Sequence, residues 1–259
     1  MRMMKKVLGT VTVLALSVSL LAGCGSTAVS PVSSTASTAA ESTTSSVVSE
    51  TTSAAADENA AAAAQLLNDL TGSYQELWPV ILADEYQQTW LDDCTALVGE
   101  ENAEAAFEKL SSMVTSDVYG EDAVEAYANG GGAYFCGFTN SLATLTFDGE
   151  TSTISGTDKD GNVLFSHTYH YIGMEPVHGL YEFESDDADS GEFTYFFLAP
   201  DTSAETYHIE FRYGSDADAL SQYDAGDYAY WLASGISTDC DQTMIDNCIK
   251  LFCTENLAG

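Results

Sequence analysis

The chain has 259 residues, 40 of them acidic and 7 basic, for a formal charge of −33. Nucleic-acid binding needs Lys and Arg to displace phosphate counterions, and docking onto anionic lipid needs the same charges, so this composition excludes both.

In chain order, Arg2, Lys5 and Lys6 precede an apolar run that ends in Leu21-Ala22-Gly23-Cys24. A basic start, a short apolar stretch and small residues ahead of a cysteine make a lipoprotein-type secretory signal over 1–23, with Cys24 as the acylated residue. Cleavage there leaves four basic residues, Lys109, Lys159, Arg212 and Lys250, against all 40 acids, a charge of −36. Attachment to a membrane then comes from the acyl groups on Cys24, because no later apolar stretch approaches the roughly 20 residues of a span.

Between Ser26 and Ala56, 24 of 31 residues are Ser, Thr or Ala. Residues 24–63 read as a lipidated cysteine and a disordered stalk that holds a domain off the lipid surface. That arrangement suits the outer face of the cytoplasmic membrane in a monoderm cell. A helix is expected to start in Ala60–Ala64, and all 28 aromatic residues lie in 64–259, one domain with an ample core.

The domain opens helical. The spacing predicts a helix over Ile81–Val98, another through Ala103, Ala106, Phe107, Leu110, Met113 and Val114, and a short one over Glu121–Ala128. After Gly130-Gly131-Gly132 the pattern turns to strands. Leu145–Phe147 and Thr153-Ile154 flank Asp148-Gly149, and Val163–Phe165 follows Asp160-Gly161, pairs that favour tight hairpins. Further strands are expected at His167–Ile172, Leu180–Glu184, Phe193–Ala199 and Thr206–Tyr213. A short helix at Asp216–Gln222 and a closing amphipathic helix through Met244, Ile245, Cys248, Ile249 and Phe252 follow. Seven or so antiparallel strands between helices form a small closed barrel.

Few residues suggest chemistry. Asp158-Lys159-Asp160-Gly161-Asn162 looks like a calcium loop, but Gly161 is fourth and not sixth, and Tyr169 stands at the position of the bidentate Glu. It reads as a solvated turn. Cys94, Cys136, Cys240, Cys248 and Cys253 match no zinc spacing; outside the cytoplasm they imply one or two disulfides, with the pairing open and at least one thiol free. Strand alternation puts Thr206, His208, Glu210 and Arg212 on one face, and sends His167 and His170 to opposite faces. No nucleophile elbow, Walker loop or H-E-x-x-H is present, so the chain is read as non-enzymatic.

Five stretches carry a resemblance to a known family. They are Thr71–Pro79, Tyr169-His170-Tyr171-Ile172-Gly173, Leu180–Glu184, the run from Phe193 to Gly214 with Ala199-Pro200 ahead of Tyr207-His208-Ile209, and Tyr228-Ala229-Tyr230-Trp231. Together they resemble the ZinT family of extracytoplasmic zinc-binding proteins, which also forms the C-terminal domain of AdcA-type lipoproteins. The resemblance covers the domain from Leu70 onward. It implies a mainly β fold, a calycin-like (lipocalin-type) antiparallel barrel preceded by helices and closed by a C-terminal helix. It also implies a zinc ion held by three histidines and a metal ABC transporter as partner.

Transferred position by position, the family's first ligand falls on Phe196 and its His-x-His pair on Thr206 and His208, so one imidazole of three remains. A benzyl group offers zinc no lone pair and a neutral hydroxyl only a weak one. A rebuilt site would draw on His208 with Glu210, on the same strand face, and Glu205. The expectation is therefore a lipid-anchored, monomeric ZinT-like zinc-binding protein of the cell surface. The alternative is a calycin-type module that has lost the metal and binds a small organic ligand or a protein partner. Three donors converging near His208 would favour the metal; a closed apolar cluster around Phe196 would favour the alternative.

Overall fold

A computed structural model describes residues 46–199, 206 and 208–258, with side chains of the first helix described from Glu58 onward. The signal segment, Cys24 and Glu205 lie outside the described residues. Helix α1 spans Ser46–Asp69. It starts well before Ala60, so the backbone of 46–63, read from composition as disordered stalk, is helical. The alanine runs at 54–56 and 60–64 carry the highest intrinsic helix propensity, which outweighs the Ser and Thr around them. Among the described residues no helix is long and apolar enough to cross a membrane.

Strand β1 (Gly72–Glu76) leads into α2 (Leu77–Ile81), α3 (Gln87–Val98), α4 (Glu100–Ser112) and α5 (Glu121–Ala128). The helix expected over Ile81–Val98 thus begins only at Gln87, because α2 ends at Ile81. The Ile81 carbonyl accepts the indole N–H of Trp90 at 2.7 Å, Ala83 is extended (φ −61, ψ 146), and a 3-10 turn at Asp84–Tyr86 restarts the chain. Periodicity continues across such a break because Ile81 and Trp90 are both buried in the same core.

The remaining strands are β2 (Thr144–Asp148), β3 (Thr153–Thr157), β4 (Val163–Met174), β5 (Tyr181–Ser185), β6 (Tyr195–Leu198), β7 (His208–Gly214) and β8 (Ala233–Ser237). Helix α6 (Ala217–Leu220) lies between β7 and β8, and α7 (Gln242–Leu257) ends the chain. Each strand pairs antiparallel with the next, and β1 pairs with β8 through Tyr74↔Ser237 and Glu76↔Gly235. The result is the calycin-like barrel with flanking helices, closed by eight strands rather than seven. Closure leaves no edge for another chain to extend. The two strands expected at Val163–Phe165 and His167–Ile172 are one continuous β4, which pairs with β3 by its first half and β5 by its second.

The turns obey two different constraints. Gly161 sits at φ +81 as the Asp-Gly pattern requires, and Asp158 Oδ1 accepts the N–H groups of Asp160 and Asn162 at 2.9 Å, the solvated turn expected there. Gly149 is different: Ser152, not Gly149, takes the left-handed conformation (φ 52) of the β2–β3 loop. A Cβ on Gly149 would meet the backbone of Asn68 at 2.4 Å, so that glycine exists to let α1 approach the barrel.

Two cores result. Inside the barrel, Leu145, Phe147, Ile154, Phe165, Phe183, Phe196, Phe211 and Tyr213 pack with Leu66, Leu67 and Leu70 of α1. Outside it, Leu77, Trp78, Ile81, Trp90, Leu110, Cys248 and Ile249 join α2, α3, α4 and α7 to Ile236 of β8. The face of β7 that points away from the barrel interior is therefore covered by protein.

Candidate functional site

The expected site residues are placed by the pairing of β6 with β7. Phe196 faces Tyr213 across the ladder and Leu198 faces Phe211. Directly paired residues share a sheet face, so Phe196 belongs with Ile209, Phe211 and Tyr213 on the interior side. Its ring is fully buried, 5.4 Å from those of Tyr169 and Tyr213, 5.9 Å from Phe165 and 6.3 Å from Phe211. His208 and Glu210 take the opposite face. The positions onto which the family's ligands were transferred thus lie on two sides of one sheet.

The surroundings of His208 and Glu210 supply few donors from the sheet. His208 pairs with Ile236 and Glu210 with Ser234 on β8, while on the other side Ala199 N–H donates to the Glu210 carbonyl. His208 Nδ1 is 2.7 Å from the hydroxyl of Thr206, which is itself buried. The side chains of His208 and Glu210 reach a narrow cleft of about 30 Å³ under α2 and α7, shared with Trp78, Cys248, Phe252 and Glu255. That volume suits an ion or a water or two, not an organic molecule. The thiols nearby are poor ligands: burial first, and then the Glu210 carboxylate, push both Cys136 and Cys248 up to about 12. At neutral pH they hold their protons, whereas a metal requires the thiolate. Among the described residues no three His, Cys, Asp or Glu side chains stand close enough together to hold a metal ion. The three-histidine zinc centre implied by the resemblance does not fit these residues.

A second, larger hollow opens on the other side of Trp78. It measures about 320 Å³ and is lined by Glu76, Trp78, Pro79 and Leu82 from β1 and α2, Val114, Thr115 and Ser116 after α4, and Phe135, Cys136 and Gly137. Long-range pairing assembles it. Tyr134 N–H donates to the Met113 carbonyl at 2.8 Å, and Phe135 bridges both Thr115 and Trp231. Glu76 Oε1 accepts the N–H of Phe138 at 2.6 Å, which fixes the carboxylate at the rim. The indole N–H of Trp78 is buried without a well-formed hydrogen bond, and its neighbour is the Cys136 thiol, a weak acceptor. Nothing in a linear pattern joins Glu76, Trp78 and Pro79 to residues 114–116 and 135–137.

The other histidines are engaged locally. His167 Nδ1 lies 2.7 Å from Asp187, and His170 Nδ1 lies 2.7 Å from Asp186. His178 packs on Tyr223 with ring centroids 3.7 Å apart and stands 3.4 Å from the buried Glu175 carboxylate.

No family model matches the chain, and no curated protein matches it. Solved structures similar to it include two zinc-bound ones. The crystal structure of the Zn(II)-bound ZinT-like domain of Streptococcus pneumoniae AdcA shares 14% identity over 71% of this chain and 89% of that one, with a TM-score of 0.45. The crystal structure of Zn(II)-bound AdcA from the same organism shares 13% identity over 72% of this chain and 35% of that one, with a TM-score of 0.43.

Proposed function

We propose that the chain is a non-enzymatic binding protein, lipid-anchored through Cys24 at the outer face of the cytoplasmic membrane, whose ligand is a small organic cation held in the hollow beside Trp78. The observation that carries this reading is the hollow itself, an opening of about 320 Å³ whose lining sets the Glu76 carboxylate beside the apolar walls of Trp78 and Phe135. The volume lies at the small end of organic-ligand sites. Trp78, Pro79, Leu82 and Phe135 offer apolar walls, Glu76 a carboxylate for an ammonium group, and Thr115 and Ser116 hydroxyls. Residues 64–259 carry 36 acids against four bases, a charge of −32, which concentrates cations at the surface. The interior packing of Phe196 supports the loss of the family's metal centre in the same chain.

The test uses 2-phenylethylamine as the probe, with tryptophan fluorescence and calorimetry as readouts, on wild type and Glu76→Gln. Glutamine keeps the acceptor for Phe138 N–H but removes the charge. Saturable binding is expected, weakened about tenfold by the substitution, the scale of one charge-assisted hydrogen bond. Absence of saturation, or equal affinity in both proteins, would sink the reading.

One observation favours a second reading, a divalent cation site serving a metal ABC transporter: His208 and Glu210 both line one ion-sized cleft. That site needs a third donor close to His208, and Glu205 is the nearest candidate by sequence. Zinc titration of wild type against His208→Ala separates the two readings. Sub-micromolar zinc binding that vanishes in His208→Ala would replace the first reading by the second.

A further inference from the structure

The five cysteines of the domain were expected to form one or two disulfides with no pairing assigned, and the structure assigns one. We infer that Cys94 and Cys253 form a disulfide that staples α3 to α7. Both side chains are fully buried, and their sulfur atoms lie 3.9 Å apart, in contact though separated by 159 positions in sequence. Among the described residues no other pair of cysteine sulfurs has a hydrogen-bonding contact of this kind. A disulfide needs about 2.05 Å between sulfurs, so the approach required is under 2 Å, within reach of side-chain rotation and a small helix adjustment. The two helices already pack against each other through the core of Trp90, Leu110, Ile245 and Ile249.

The chemistry balances with a disulfide-bearing oxidant such as oxidised glutathione or a thiol–disulfide oxidoreductase. One cysteine thiolate attacks the oxidant's S–S bond, forming a mixed disulfide and releasing one thiolate of the oxidant. The second cysteine thiolate displaces the other half. Two protons and two electrons leave the cysteine pair, and the oxidant becomes two thiols. Burial raises both thiols above their ordinary range; Cys94 adds to the rise at Cys253, while the contact with Cys253 partly offsets it at Cys94. Exchange is therefore slow once the helices are docked and proceeds while the cap is still assembling. The geometry stands by itself in vitro. Only persistence of the bond in the cell rests on the export proposed above, because disulfides survive outside the cytoplasm.

The full chain is refolded with oxidised and reduced glutathione, denatured without reductant, labelled with N-ethylmaleimide and digested for mass spectrometry. The expected result is two fewer labelled cysteines than in a reduced control and a linked peptide pair containing Cys94 and Cys253. Full labelling of every cysteine, or linkage of different partners, overturns the assignment. A second measurement guards against misfolded variants. Reduction is expected to lower the Tm of the oxidised wild type by about 10 °C, the scale of a cross-link closing so long a loop, and to leave Cys94→Ala/Cys253→Ala unchanged. Equal responses of the two proteins to reductant would also refute it.

Discussion

Arg212 is the strongest single test of how the outer face of the barrel is held. Its side chain is fully buried on β7. One terminal nitrogen donates to the carbonyls of Leu220 and, at 3.1 Å, Gln222; the other donates to the carbonyl of Tyr228. The guanidinium carbon sits 4.3 Å above the ring centre of Tyr223. Burial pulls its pKa down, while Tyr223, Tyr134 and the buried Glu175 act the other way. Replacing it by Met removes three charge-assisted hydrogen bonds, each worth about 1.5–3 kcal/mol, and strands three carbonyls. Relief from burying a charge offsets several kcal/mol of that, leaving a net loss of about 3–5 kcal/mol. For a domain of this size the Tm falls by about 10–15 °C. Arg212→Lys keeps the charge but cannot span three carbonyls, and lies between. Thermal denaturation by circular dichroism measures the loss, and amide hydrogen exchange localises it to 220–228. A Met variant within about 1 kcal/mol of wild type, or unchanged protection over 220–228, would refute the argument that Arg212 anchors this segment.

Two further outcomes follow from the same geometry. Phe196→His restores an imidazole at the position transferred from the zinc-binding family, but on the interior face. It is expected to lose about 2–4 kcal/mol in urea unfolding and to gain no zinc affinity by calorimetry, and tight zinc binding dependent on His208 would contradict the face assignment. Asp93 on α3 has its carboxyl held above the ordinary range of 3.8, by burial first and by Asp246 and Asp92, with Lys250 opposing. The folded state thus binds that proton more tightly than the unfolded one, so its contribution to stability falls as pH rises through 3.8 toward the folded value. Asp93→Asn is therefore expected to melt higher than wild type at neutral pH and to match it below about pH 3, and a difference that persists in acid would point to another cause.

The strands legible in the sequence are those whose two faces differ in polarity. In β7, Ile209 and Phe211 alternate with His208 and Glu210, and alternation assigned the faces correctly. In β8, Ala233, Ser234, Gly235 and Ile236 are all buried, because the barrel covers one face and the helical cap the other, so small residues suffice and no alternation remains to be read. β1 went unread for a related reason: among its five residues only Tyr74 is buried. Those two strands close the barrel; leaving them out while counting β4 as two gives seven strands in place of eight. The same double coverage explains the site. A family ligand can be moved along a sequence by counting, but one step of register moves a side chain to the other side of the sheet. Phe196 is legible as a missing ligand and illegible as a core residue until its partner, Tyr213, is known. The Trp78 hollow lies further still beyond a linear reading. Its walls come from three separated segments, and the Glu76 carboxylate is held among them by the N–H of Phe138, a residue 62 positions away that no local pattern connects to it.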